Sequence, residues 1–170
     1  MSNQVYSNST RKYWAQPGVT VWSHAVSQTI TKADGSTDIT FAPAPTVNQG
    51  SGAFMSYNAA TDTFTVNESG MYSLNLIARM KKSAPAEDWS YDVGLQIESG
   101  DLFQTSVIYQ KGAVPANEAD DIFVGGSVVM FLKNTTQFKC FFTNYSTPTS
   151  LILPAPDADG GTKLITCKVL

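Results

Sequence analysis

The chain contains one histidine, His24, which directly follows Ser23 in a segment where polar and apolar residues alternate. Serine and histidine are the nucleophile and the base of many hydrolases, but only when their side chains meet in space. Adjacent residues of a β-strand point to opposite faces, so the pattern predicts that these two side chains do not meet. The G-x-S-x-G sequence of α/β-hydrolases is absent from the chain as well. We therefore expect no enzyme activity and interpret His24 as a strand or interface histidine.

Metal ligands are few. A structural zinc site needs about four nitrogen or sulfur ligands, and the chain offers one histidine and two cysteines, Cys140 and Cys167. These cysteines are predicted on separate strands, and a cytoplasmic setting favours free thiols over a disulfide. Calcium prefers oxygen-rich loops, which makes Asp157 and Asp159 weak candidates for a calcium site. A solvated acidic loop is the simpler interpretation, and no other cofactor is expected.

Composition excludes several classes of partner. The chain has 170 residues and a net charge of −3, so it lacks the basic surface with which proteins bind nucleic acid. Hydrophobic residues make up 42% and charged residues 15%, which is typical of a folded protein. The longest uncharged apolar stretch, around residues 124–132, is too short to cross a bilayer. We expect one domain and no membrane partner.

The first residues are polar and aromatic, with no apolar segment of signal-peptide length, which predicts synthesis in a cytoplasm. Residues 1–18 are expected to form an N-terminal arm, and residues 19–170 the domain. The alternative is that these residues form a disordered tail. Aromatic residues are unusual in such tails, so we predict that the arm attaches to a partner. The candidate attachment residues of the arm are Tyr6, Tyr13 and Trp14.

The remaining chain reads as β-strands. Alternating apolar and polar residues, with turn signals about every ten residues, predict about nine or ten strands and no helix. The clearest strands are residues 71–82 and 89–98, whereas residues 148–161 are predicted to be a proline-rich loop. Trp89 and Tyr91 could stack on a sugar, with core packing as the alternative. An all-β sandwich or barrel follows from this pattern.

Three late strands carry apolar residues on both faces. A single sandwich buries only one face of each sheet, so the second face needs a cover, either a long loop or a neighbouring subunit. We expect a subunit, because closed symmetric contacts are the rule in oligomers. The predicted contact residues are Val129, Phe131, Phe141, Tyr145 and Val169.

Residues 57–72 read YNAATDTFTVNESGMY. This segment resembles the pattern Y-x-x-x-T-G-x-F-T-V-P-x-x-G-x-Y of the superfamily that joins tumour necrosis factor (TNF) to the globular head of the complement recognition protein. Asp62 stands where glycine is common, and Asn67 where proline is common. The matching residues are Phe64, Thr65, Val66, Gly70 and Tyr72.

The resemblance covers about residues 19–170, with a second match at residues 126–133, GSVVMFLK. It implies an all-β TNF-like jelly-roll sandwich of about ten antiparallel strands, assembled as a homotrimer around an apolar three-fold axis. The collagen-like Gly-x-y stalk of some relatives is missing from this sequence.

We therefore expect a virion surface component made in the host cytoplasm: a phage capsid decoration protein, head fibre or tail-tip knob. Its arm would bind a capsid or tail protein, and its loops would face the host, where a cell-surface glycan or receptor is a further partner. The main alternative is a bacterial or spore surface adhesin or carbohydrate-binding module of the complement-head type. A secreted cytokine-like ligand is the third interpretation.

Overall fold

A computed structural model describes residues 18–31, 35–49, 54–82, 89–99, 106–114, 122–145, 150–157 and 160–169. Within these residues no helix has the length and apolar character needed to cross a membrane. The described residues form thirteen strands: β1 (Gly18–Ser23), β2 (Gln28–Ile30), β3 (Ser36–Asp38), β4 (Val47–Gln49), β5 (Met55–Asn58), β6 (Thr63–Val66), β7 (Gly70–Lys82), β8 (Trp89–Ser99), β9 (Ser106–Val114), β10 (Ile122–Leu132), β11 (Gln137–Asn144), β12 (Leu151–Leu153) and β13 (Lys163–Lys168).

The strands form two antiparallel sheets. The first sheet has the order β2-β12-β7-β13-β1-β4, and β10 pairs with the remaining edge of β7. The second sheet has the order β5-β6-β11-β8-β9, with β3 also paired to β11. The chain crosses repeatedly between the two sheets, which is the arrangement of a jelly roll. The predicted all-β class is confirmed.

Residues 71–82 and 89–98, the clearest predicted strands, form β7 and most of β8. The predicted loop at residues 148–161 is wrong for β12, where Leu151 and Leu153 are fully buried. A strand of three residues is too short to show an alternating pattern of apolar and polar residues. The sequence pattern therefore does not predict β12, which depends on pairing with distant strands.

Phe64 is the centre of an aromatic cluster that joins the two sheets. Its ring stacks on Phe138 of β11 with the centroids 5.2 Å apart, and meets the edge of Trp22 of β1 at 5.5 Å. Phe41 and Tyr57 complete the cluster, at 5.3 and 4.6 Å from the Phe64 centroid. Offset and edge-to-face aromatic pairs contribute beyond their buried area. The residue that carries the family resemblance is thus also the hub of the core.

Two side chains fix the turns on either side of β6. The Tyr72 phenol donates to the Glu68 carbonyl at 2.6 Å, and burial raises the pKa of Tyr72 to about 12, so it remains a donor. In the β5–β6 turn, Asp62 has a φ of 52°, the left-handed conformation that favours glycine. Aspartate tolerates this conformation better than most residues, which explains how it replaces the glycine of the family pattern.

Candidate functional site

The first sheet has one face in the core and one face turned away from it, which we call the outer face. Alternate residues of β7 are fully buried in the core: Tyr72, Leu74, Leu76, Ala78 and Met80. Because successive strand residues point to opposite sides, the intervening residues belong to the outer face: Met71, Ser73, Asn75, Ile77 and Arg79.

Strand pairing gathers apolar side chains at one end of the outer face. One row of directly paired residues, from β10, β7, β13 and β1, consists of Val129, Ser73, Cys167 and Val19. In the next row Phe131 lies opposite Met71, and the Val169 amide donates to the Met71 carbonyl at 2.8 Å. We call the apolar residues of these two rows the apolar patch: Val19, Met71, Val129, Phe131, Cys167 and Val169.

The apolar patch is open to solvent. Val129 is 61% exposed, Phe131 50% and Val169 48%. Single exposed apolar residues are ordinary, but adjacent large ones mark interaction surfaces. Since the strands of the patch are far apart in the sequence, its composition depends on the sheet register. The patch is the strongest candidate for a functional surface in the described residues.

At the opposite end of the outer face, the chain covers one of its own side chains. Arg79 belongs to this face yet is only 2% exposed. Its Nη1 donates to Asp157 Oδ1 at 2.5 Å and to the Gly160 carbonyl at 2.9 Å. We call the described parts of this β12–β13 connection, residues 154–157 and 160–162, the strap. Phe123, which is paired with Arg79 on the same face, is 53% exposed, so among the described residues the strap covers Arg79 but not the whole of this end.

The five predicted contact residues do not share one surface. Val129, Phe131 and Val169 lie in the apolar patch, whereas Phe141 and Tyr145 belong to β11 and its end, in the second sheet. Phe141 is 7% exposed and so is buried within its own chain, which corrects the expectation that it offers a contact surface. Residues on both faces of β11 are buried, so alternation could not separate core from surface there.

Tyr145 does reach the surface. It is 43% exposed, and its phenol donates to Asp92 Oδ2 at 2.7 Å. This hydrogen bond raises the pKa of the Tyr145 phenol above its ordinary value. Tyr145 is therefore an exposed ring with a fixed hydroxyl, on a different sheet from the apolar patch.

Ser23 and His24 bind different partners. Ser23 Oγ lies 3.3 Å from Thr46 Oγ1, and His24 Nε2 lies 2.7 Å from Gln28 Oε1. Burial lowers the pKa of His24, while its hydrogen bond to Gln28 opposes that shift. The two residues thus do not form a nucleophile and base, in agreement with the strand argument.

The other candidate residues are placed as follows. Asp157 binds Arg79, and Asp159 lies outside the described residues. Within the described part of the chain, no three His, Cys, Asp or Glu side chains are grouped as metal ligands. Cys140 and Cys167 are free thiols on different sheets, and burial raises the pKa of the Cys140 thiol.

The aromatic residues proposed to bind a sugar or a partner protein differ in what the structure describes of them. Tyr91 is 3% exposed and stacks on Phe142 with the centroids 5.6 Å apart, so the core alternative is correct for this residue. The side chain of Trp89 lies outside the described residues. The arm residues lie outside them too: Tyr6, Tyr13 and Trp14.

No protein-family model and no curated protein sequence matches this chain. Solved structures do match it. Murine APRIL at pH 8.0 superposes with a TM-score of 0.59 and 14% identity, covering 91% of this chain and 100% of that one. Eiger TNF from S. frugiperda superposes with a TM-score of 0.56 and 10% identity, covering 91% and 94%. Likeness at such identity concerns the fold, and the chain therefore has the TNF-like jelly-roll fold.

Proposed function

We propose that the protein is a non-enzymatic homotrimer that acts as a structural or binding component of a virion surface, either a capsid decoration protein, a head fibre or a tail-tip knob. The observation that carries the trimer is the apolar patch, which lies exposed on one sheet of a TNF-like fold. The separate partners of Ser23 and His24 support a role outside catalysis.

Burial of the patch would favour association. Fully burying a valine or phenylalanine side chain contributes about 1.5–3 kcal/mol, and Val129, Phe131 and Val169 each keep about half of their surface exposed. Three chains around an axis bring three patches together and close the assembly, so that the patch itself is not left open for further growth.

The oligomeric state tests the proposal. Light scattering of the purified full chain is expected to give the mass of three subunits. Val129→Asp is expected to give a monomer, because a charge buried in an apolar contact without a partner is unfavourable by about 3–5 kcal/mol. The matched control is Val26→Asp, since Val26 is 55% exposed but lies outside the strands. A trimer in the Val129→Asp protein would remove the patch from the interface.

The virion location rests on the arm as well as on the fold. Gly18, the first described residue, opens β1 opposite Lys168, next to the apolar patch. We propose that Tyr6, Tyr13 and Trp14 bind a capsid or tail protein, leaving the loops of the domain for a host receptor or glycan.

The alternative is a bacterial cell or spore surface module that binds carbohydrate. It is favoured by Tyr145, because its ring is 43% exposed and could stack on a sugar while the buried Asp92 carboxylate holds its hydroxyl. Antibodies raised against the purified protein separate the two locations. Labelling of gradient-purified virus particles from the source culture supports the virion proposal, whereas labelling confined to cell envelopes or spores supports the alternative.

A further inference from the structure

His24 is a buried junction between β1, the segment after β3 and the strap. It is 1% exposed, and its main chain forms an isolated bridge with Phe41. Its amide donates to the Thr162 carbonyl of the strap at 2.9 Å, and the Pro154 main chain lies beside its ring. The strap is therefore held by His24, directly after β1, and by Arg79 from β7.

Gln28 determines which ring nitrogen of His24 carries the proton. The Gln28 amide nitrogen donates to the Asp38 carbonyl at 3.1 Å and to Thr40 Oγ1 at 3.2 Å. Its Oε1 is consequently the atom that faces His24 Nε2, and a carbonyl oxygen only accepts. Nε2 must therefore carry the hydrogen of the neutral ring, which leaves Nδ1 as an acceptor.

Nδ1 of His24 is buried and has no hydrogen-bond partner among the described residues. The Pro154 carbonyl is near enough to favour a protonated ring, but it does not complete a hydrogen bond to Nδ1. A proton taken up at this atom would create a buried charge without a full partner, which is unfavourable unless water reaches it. The ring can be hydrated only if the contacts around it open, and the strap forms one side of these contacts.

Few charged groups of the described residues lie around the ring. Asp62 of the β5–β6 turn attracts a positive ring, but its carboxylate already accepts hydrogen bonds from Tyr57 at 2.6 Å and Thr40 at 3.3 Å. From β13, Lys163 is the residue paired with Ser23. The charged groups of the strap side, Arg79 and Asp157, bind each other. Asp38, in the segment beside Gln28, binds Lys139.

We propose that His24 is an acid-sensitive latch, so that protonation of its ring at mildly acidic pH loosens the strap from the outer face. The sign follows from burial, which holds the pKa of the folded-state ring below the ordinary value of 6.5. The opened state binds the proton first as pH falls through 6.5, so the closed strap loses stability until pH reaches the lower folded-state pKa. Above 6.5 the latch is closed. The contacts lie within one chain, so the proposal does not depend on the trimer.

Nuclear magnetic resonance tests the latch in the full chain, because a single histidine gives one imidazole signal. The ring is expected to titrate with a midpoint below 6.5. Amide hydrogen exchange of Gly160, Gly161 and Thr162 is then compared with that of His24→Gln at the same pH, which cancels the intrinsic pH dependence of exchange. From about pH 7.5 to about pH 5.5, the ratio of wild-type to variant rates is expected to rise by up to about tenfold.

A control variant shows that the strap can loosen by another route. Asp157→Asn weakens the Arg79 anchor, and its exchange in the strap is expected to be faster than in the wild type already at about pH 7.5, where His24 is neutral. If His24→Gln does not fold, the wild-type ring and the strap amide shifts must still titrate with one midpoint. The proposal would be overturned by any of three results. These are a ratio of wild-type to variant exchange rates that does not change with pH, an imidazole titration midpoint at or above 6.5, or strap amide shifts that do not change at that midpoint.

Discussion

Asp62 combines a left-handed backbone with two accepted hydrogen bonds, from Tyr57 and Thr40. Substitutions can separate the contribution of the backbone conformation to stability from that of the hydrogen bonds. Asp62→Gly keeps the conformation and loses the hydrogen bonds, each of which contributes about 0.5–1.5 kcal/mol. Asp62→Ala loses the same bonds and adds strain of about 1 kcal/mol, because alanine disfavours positive φ. Urea denaturation is expected to rank the alanine variant least stable.

Asp62→Asn is the control for that series. Asparagine adopts the left-handed conformation and keeps an oxygen that accepts from Tyr57, so its free energy of unfolding should stay closest to the wild type. An alanine variant as stable as the glycine variant would show that the conformation at residue 62 carries no strain.

Single residues also show how far alternation predicts a surface. The exposure of Val129 and Phe131 follows from their positions on β10, and the structure agrees. Arg79 follows the same rule but is covered by a strap from 78 residues further along the chain at Asp157. The alternation of apolar and polar residues predicts the face to which a side chain points. Whether another segment of the chain covers that side chain depends on residues that are distant in the sequence.

At the scale of elements, the pairing of β10 with β7 depends on Gly125. Its φ is 153°, and a Cβ at this position would lie 1.9 Å from the Leu76 carbonyl oxygen. The obstacle is backbone, so no side-chain rotation can relieve it. Gly125→Ala is expected to lower the free energy of unfolding by about 2–4 kcal/mol, the range of mutations that force packed elements apart. Urea denaturation followed by circular dichroism measures it.

Gly35→Ala is the matched control for close approach. Gly35 also has positive φ, at 65°, but nothing lies within 4 Å of the position of its Cβ. Only conformational strain of about 1 kcal/mol is expected there. Equal losses for the two variants would mean that the β7–β10 contact yields easily to the added methyl group.

The strands that the sequence predicts are long or clearly alternating, such as β7 and β8. β4 and β12 each have three residues and lie next to proline-containing segments. Such short elements exist because a neighbouring strand offers free hydrogen-bonding groups. β12 pairs with β2 and with the end of β7, which are distant in sequence. Their formation is a tertiary effect that local composition does not encode.

For the whole molecule, the resemblance at residues 57–72 predicts the jelly roll, because two aromatic residues of the matching pattern stabilise it. Phe64 is the centre of the aromatic core cluster, and Tyr72 hydrogen-bonds across the turn after β6. The predicted contact residues divide between the two sheets, and only Val129, Phe131 and Val169 lie together. Their grouping required the register that places Val169 beside Met71 and Cys167 beside Ser73, and register is set by all the strands together.

If three chains share the apolar patch, folding and assembly are linked by mass action, and thermal stability must depend on protein concentration. A hundredfold increase in concentration stabilises each chain of a tight trimer by about 2 kcal/mol, which corresponds to about 4–8 °C in melting temperature. Differential scanning calorimetry should show this rise for the wild type and for Val26→Asp. Val129→Asp should melt at one temperature throughout, because a monomer has no partner to dilute. A wild-type melting temperature that ignores concentration would argue that the patch stays exposed in solution or is covered by a different protein.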